Sequence, residues 1–174
     1  QGLSAGEGSL MPRGPGIFSL DLSSRTGWAF GHIEDDRPRS GVWVLPGPSD
    51  LGRTFAAFEN QLLDAIDVHR PDVVVLEAAI SGGQGGGTSQ NVTEQQIGLL
   101  SHARSTCYRH DIRLVTKAAS SIRKEVIGTG RFPTGTAKKS IMAWLSARGF
   151  EFADDNASDA LVAWLWAKQN WPKL

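Results

Sequence analysis

Four acidic side chains stand where acids are costly or crowded. Asp21 lies inside the run Ile17-Phe18-Ser19-Leu20-Asp21-Leu22, and Glu77 closes Asp72-Val73-Val74-Val75-Leu76-Glu77 after four aliphatic residues. A carboxylate in such surroundings loses hydration and needs a cation or hydrogen bonds in return. Asp155 and Asp159 are one helical turn apart, so both can project from one face at a helix start, with Asp154 and Asn156 beside them. Acids from three separate segments repel one another on meeting unless divalent cations sit between them. Oxygen donors of this kind suit Mg²⁺ or Mn²⁺. A pair of such ions about 4 Å apart can activate water and stabilise the leaving oxygen in phosphodiester hydrolysis. Each acid also has a plain structural use: Asp155 or Asn156 can cap a helix, Glu77 can face solvent at a strand end, and Asp21 can anchor the Ser23-Ser24 turn. The metal reading requires the acids to converge without being neutralised by arginine or lysine. His32, His69, His102 and His110 show no metal-ligand spacing.

The chain of 174 residues has 18 Lys+Arg and 18 Asp+Glu, and its length suits one domain with a real core. The neutral total hides an asymmetry. Residues 1–100 carry 6 basic against 12 acidic side chains, residues 101–148 carry 10 against 2, and residues 149–174 carry 2 against 4. A basic middle between acidic ends fits a carboxylate site beside a polyanion-binding face, or a solvated surface whose charges interleave on folding. The single cysteine, Cys107, excludes an internal disulfide framework and a cysteine-rich zinc site, and suits a reducing compartment. No apolar run approaches the ~18 residues of a bilayer span. Two phosphate-loop lookalikes fail: Gly82–Gly87 lacks a following Lys-Ser/Thr pair, and Gly130–Gly135 is followed by Thr136-Ala137 instead. No nucleotide cofactor is expected.

The elements that must position these residues follow from periodicity and turn chemistry. Residues 1–16, rich in Gly, Ser and Pro, read as a loose tail. Met11-Pro12 resembles a natural start, which would make residues 1–10 a vector-derived or added extension. Residues 17–174 read as a single domain. Ile17–Leu22 and Thr26–Phe30 form a predicted hairpin, Gly41–Leu45 a third strand, and a helix runs from Ser49 to Pro71. Asp72–Glu77 has the continuous apolar character of a parallel strand. A mobile glycine loop (81–87) follows, then a helix over 93–110 with Ile97, Leu100 and Cys107 as its apolar marks, and a strand over 112–116. Short helices cover 120–126 and 136–148, the second capped by Thr136, and a last helix over 155–169 buries Leu161, Trp164 and Leu165. The order β-β-β-α-β-α-β-α-α-α predicts an α/β fold with a mixed five-stranded sheet, three strands antiparallel and the rest parallel, flanked by helices. That order is compatible with a ribonuclease-H-like fold. Trp144, Trp164, Trp166 and Trp171 read as packing groups rather than base-stacking platforms.

Taken in register, four segments resemble the RuvC-type Holliday-junction resolvases. Ile17–Ala29 is similar to that family's first hairpin, Asp72–Glu77 to its second acidic strand, Ser120–Gly130 with Ala137–Ser140 to its basic DNA-binding segment, and Asp155–Leu161 to its closing acidic helix. The resemblance implies a nuclease that binds branched DNA, a four-way junction, as a homodimer, with one cut in each of two opposed strands. It implies two Mg²⁺ or Mn²⁺ ions per active site on Asp21, Glu77, Asp159 and a fourth ligand. The fourth falls on Asp155 or Asn156; Asp155 is preferred because a carboxylate offsets metal charge better than an amide. Arg123 and Lys139 match basic positions near the scissile phosphate, Lys139 with a catalytic role, and Lys124, Arg131 and Lys138 are expected on the DNA backbone. Ile80 is the sizeable apolar residue where relatives carry a junction-opening wedge, and the helix over 93–110 is the expected dimer surface. Such a nuclease would work in the cytoplasm at the nucleoid, or on phage or organellar DNA. Two other readings stay open: a broader flap, fork or RNA-processing nuclease of the same fold, and a non-catalytic junction-binding protein.

Overall fold

The computed structural model describes residues 14–78 and 90–174. Five strands form one sheet in the order β3-β2-β1-β4-β5. β2 (Arg25–His32) runs antiparallel to both β1 (Gly16–Asp21) and β3 (Arg39–Val44), whereas β4 (Val73–Ala78) lies parallel to β1 and β5 (Arg113–Ala118) parallel to β4. The helices are α1 (Leu51–His69), α2 (Gln90–Arg109), α3 (Ala119–Ile127), α4 (Ala137–Ser146) and α5 (Asp155–Asn170). The element order and the mixed sheet are those expected from the sequence. Among the described residues, no helix is long and apolar enough to cross a membrane.

The two-residue period of the strands divides the core. Ile17, Ala29, Val73 and Val75 face α3, α4 and α5, in a cluster that includes Ile122, Ile141, Leu145, Leu161 and Trp164. Phe18, Leu20, Val74 and Leu76 face α1 and α2, meeting Phe58, Leu62, Leu99 and Cys107. α5 is the most deeply sunk helix, buried almost continuously from Ala157 to Ala167. Fully burying a side chain of the size of Leu161 or Val162 stabilises by roughly 1.5–3 kcal/mol, so the helix that carries Asp155 and Asp159 is held by its whole length. The Trp164 indole N–H, also buried, donates to the Gly31 carbonyl at 3.1 Å.

Local expectations fail where side-chain chemistry departs from pattern. α1 starts at Leu51, because Asp50 and not Ser49 supplies the cap, accepting from the Arg53 amide at 3.0 Å. α2 begins at Gln90 and buries Leu99, Ala103 and Cys107, leaving Ile97 61% exposed. α1 packs close against α2 at Gly98, where an added Cβ would fall 2.1 Å from the Phe55 ring. Thr136 does not cap α4 with its side chain: its hydroxyl donates to the Pro133 carbonyl, and the helix covers only 137–146. Leu165 is half-buried while its neighbour Trp166 takes the core position. β1 starts at Gly16, within the predicted tail, and the remainder of that tail (1–13) and the glycine loop with Ile80 lie outside the described residues.

Candidate active site

Asp21 and Glu77 reach the same place because of strand pairing. β1 and β4 are parallel and in register through Leu20 and Leu76, so the next residues along each strand are Asp21 and Glu77. Alternation from Ile17 and Ser19, and from Val73 and Val75, turns both acids toward α5. Asp159, one turn into α5 and only 5% exposed, faces the same point. Lys117 is the register neighbour of Glu77 on β5, but its ammonium pairs with Glu125 at 3.2 Å.

Three local devices seat the start of α5 on the first hairpin. Asp154 caps the helix, accepting from the amides of Asn156 and Ala157 at 3.0 Å each, and also pairs with Arg25 at 2.9 Å. The cap thus falls on Asp154, and Asp155 keeps its carboxylate free of that duty. The buried Ser19 hydroxyl donates to the Ala160 carbonyl at 2.7 Å. Gly27, the antiparallel partner of Asp21, lies directly beneath the helix: a Cβ there would overlap the Asn156 carbonyl and sit 2.8 Å from the Ala157 amide. Both obstacles are backbone and cannot rotate away. Gly27→Ala is therefore expected to lower unfolding stability by about 1–3 kcal/mol, as overpacking does, read as a lower denaturation midpoint. Arg25→Ala, which removes a half-exposed ion pair, is expected to cost under about 1 kcal/mol. Equal effects of the two would show that the close approach of α5 does not depend on Gly27.

The acids converge, yet they are not free of basic partners. One guanidinium nitrogen of Arg123, Nη2, lies 3.3 Å from Glu77 and 3.2 Å from Asp159. Lys138 donates to Asp155. No three acidic, histidine or cysteine side chains among the described residues stand close enough together, as placed, to coordinate one ion. The neutralisation is nevertheless incomplete. Asp21 receives no hydrogen bond and no ion pair among the described residues, and its carboxyl is pushed up to about 7 by burial and then by Asp159, against Lys138 and Arg123 acting through space. Glu77 is pushed up to about 8 by burial and by the charges of Asp21 and Asp159, although Arg123 touches it. Asp159 is also raised, burial outweighing Arg123 and Lys138. Two cations beside four carboxyl groups thus leave Asp21 and Glu77 holding their protons more tightly than free carboxyls do. Oxygen-rich donors, one of them without a partner, fit a hard divalent cation such as Mg²⁺ or Mn²⁺.

The remaining basic positions are spread over one side. Arg123 is on α3 and part-buried, whereas Lys124, Arg131, Lys138 and Lys139 are exposed. Lys138, not Lys139, is the lysine beside the acids; Lys139 makes no ion pair among the described residues. Sequence reasoning missed Gly27, Ser19 and Asp154 as the groups that dock α5. A glycine opposite a strand acid, and a small hydroxyl two residues before it, are the signals that were available.

No protein-family profile matches the sequence, and no curated protein matches it. Solved structures do match. The RuvC structure from Thermus thermophilus superposes with a TM-score of 0.63 at 12% identity, covering 87% of this chain and 92% of that one. T. thermophilus RuvC in complex with a Holliday junction substrate gives 0.65 at 11% identity, over 87% and 91%. The yeast mitochondrial Holliday junction resolvase Ydc2 gives 0.56 at 15% identity, over 92% and 79%. The chain has the RuvC fold. The ribonuclease-H-like architecture expected from the sequence is thereby met over most of the chain. Within the RuvC fold of this protein, Asp21 and Glu77 occupy the ends of β1 and β4 and Asp159 the first turns of α5. Fold by itself does not assign a reaction.

Proposed function

We propose that this chain is a divalent-metal-dependent, structure-selective DNA endonuclease that resolves four-way junctions by paired cuts, working as a homodimer. The observation that carries the reading is the meeting of Asp21, Glu77 and Asp159 at one end of two adjacent strands and α5, with no cation paired to Asp21 among the described residues. Asp21, Glu77, Asp155 and Asp159 are the groups to hold two Mg²⁺ or Mn²⁺ ions. When bound, such ions lower the barrier to phosphodiester hydrolysis by activating water and stabilising the leaving oxygen, giving 5′-phosphate and 3′-hydroxyl ends. Arg123, Lys124, Arg131, Lys138 and Lys139 supply positive charge on the side from which a phosphate backbone would approach. The likeness to a RuvC caught on junction DNA supports a branched substrate. Ile97 and Tyr108, exposed on α2, support that helix as the surface between two copies.

The deciding experiment is Mn²⁺-dependent cleavage of a labelled synthetic four-way junction, in competition with three-way, flap and duplex DNA. Paired cuts in the four-way junction, resisted by the other substrates as competitors, are expected. Preferential cutting of flaps or RNA would move the protein to the broader nuclease reading. Junction affinity is expected to fall on the order of a hundredfold between about 50 and 200 mM salt, as roughly four to five phosphate contacts release counterions. A flat salt response would remove the basic side from the binding surface. The Arg123 bridge favours one other reading, a non-catalytic junction-binding protein with structural acids. Calorimetry that detects no Mn²⁺ binding would select it.

A further inference from the structure

Arg123 makes unusual use of its side chain. A guanidinium carries five donors in a fork suited to bidentate pairing. Here a single nitrogen, Nη2, is shared between Glu77 and Asp159 at 3.3 and 3.2 Å. The Nε is buried and meets no acceptor among the described residues, and an unmade hydrogen bond of a buried donor is costly. Two long contacts and one orphaned donor make a poor resting place for an arginine. A divalent cation, with twice the charge on a far smaller ion, would use the same two carboxylates better. An ion held by these two carboxylates would compete with Arg123 for them.

We propose that Arg123 is a placeholder cation: it holds Glu77 and Asp159 together in the metal-free protein and is displaced from them when a divalent ion binds. The inference rests on the metal-dependent reading above and deepens it, because it makes metal affinity the outcome of a competition with a group of the chain itself. The acids also explain why a placeholder is needed. Glu77 sits beside Asp21 and within electrostatic reach of Asp159, and when ionised these groups repel one another unless a positive charge lies between them. α3 carries Arg123 to this point on a short helix anchored by buried Ala119 and Ile122, so the side chain can leave without the helix moving.

Lys138 provides the control. It acts electrostatically on Asp21, Glu77 and Asp159, as Arg123 does, but among the described residues its ion pair is with Asp155 alone. A general loss of positive charge would raise Mn²⁺ affinity similarly in Arg123→Gln and Lys138→Gln. Displacement predicts a larger gain for Arg123→Gln, by about tenfold, which corresponds to a bridged state populated roughly nine parts in ten. Isothermal calorimetry with Mn²⁺ on the full chain measures both. Arg123→Gln should also melt below the parent without metal and level with it at saturating Mn²⁺, whereas a merely structural arginine would leave the same gap under both conditions. Equal gains in the two variants, or weaker binding by Arg123→Gln, would overturn the inference while leaving the metal reading intact. Absence of Mn²⁺ binding by the unaltered protein would overturn both. Should Arg123→Gln not fold, a crystal of the unaltered protein soaked in Mn²⁺ decides: the guanidinium withdrawn from Glu77 and Asp159 supports the inference, and the guanidinium still bridging them with Mn²⁺ bound ends it.

Discussion

Replacing Asp21 by asparagine is expected to cut four-way junction cleavage by about 10³-fold or more, while metal-free junction affinity stays within about twofold. The loss follows from the several kcal/mol that metal-assisted charge stabilisation contributes, each 1.4 kcal/mol being a factor of about ten in rate. Asp21 is the cleanest of the acids to remove. Asp159→Asn or Glu77→Gln would strip a partner from Arg123 and unbalance the packing around α3. Asp21 has no such partner among the described residues, and burial already disfavours its charge. Its amide variant should therefore fold as well as the parent or better, and a melting temperature equal or higher would exclude unfolding as the reason for lost cleavage. Full cleavage by Asp21→Asn would place the reactive centre elsewhere. Lost cleavage with lost junction affinity would instead make Asp21 a binding group.

The second large effect is a pH dependence that runs opposite to ordinary acid denaturation. Asp21 and Glu77 are raised from 3.8 to about 7 and from 4.5 to about 8 in the folded protein. Between these limits the native state holds protons that the unfolded chain has released, so stability falls as pH rises. The metal-free protein should lose melting temperature from about pH 5 to about pH 8 and then level off, because above both folded values the two states carry the same charge at these groups. Divalent metal must displace the same protons, so its affinity should rise with pH, on the order of several hundredfold between about pH 6 and pH 8. Melting curves with a chelator and with Mn²⁺, taken across that range, should diverge as pH increases. Parallel curves would mean that the ion binds without touching Asp21 or Glu77.

Much of this was legible in the sequence because it depends on period and polarity. The apolar runs around Asp21 and before Glu77 were enough to place two acids on strands, and the order of elements to predict the mixed sheet. Spacing of four residues put Asp155 and Asp159 at the start of one helix. What the sequence could not convey was contact between distant segments. Asp154, Asp155 and Asn156 are equally good caps by type, and only the approach of Arg25 and the helix amides selects Asp154. Lys138 and Lys139 are adjacent and chemically alike, and the turn of α4 decides which of them meets Asp155. Arg123 was legible as a basic residue but not as the bridge between Glu77 and Asp159, which depends on where α3 leaves β5. In α2, Ile97 is apolar yet exposed, because the face that meets the rest of the protein carries Gln95, Leu99, Ala103, Thr106 and Cys107.

The adjacency of β1 and β4 also bears on how such a centre can persist while nearly all else in a chain is rewritten. Neighbouring strands stand about 4.8 Å apart, a distance set by main-chain hydrogen bonds whatever the side chains. The gap between the two leading carboxylates is thus ruled by the backbone ladder, an invariant that substitution cannot easily erode. Surrounding loops can be exchanged without disturbing that spacing, so overlap in three dimensions can outlast any recognisable likeness of letters.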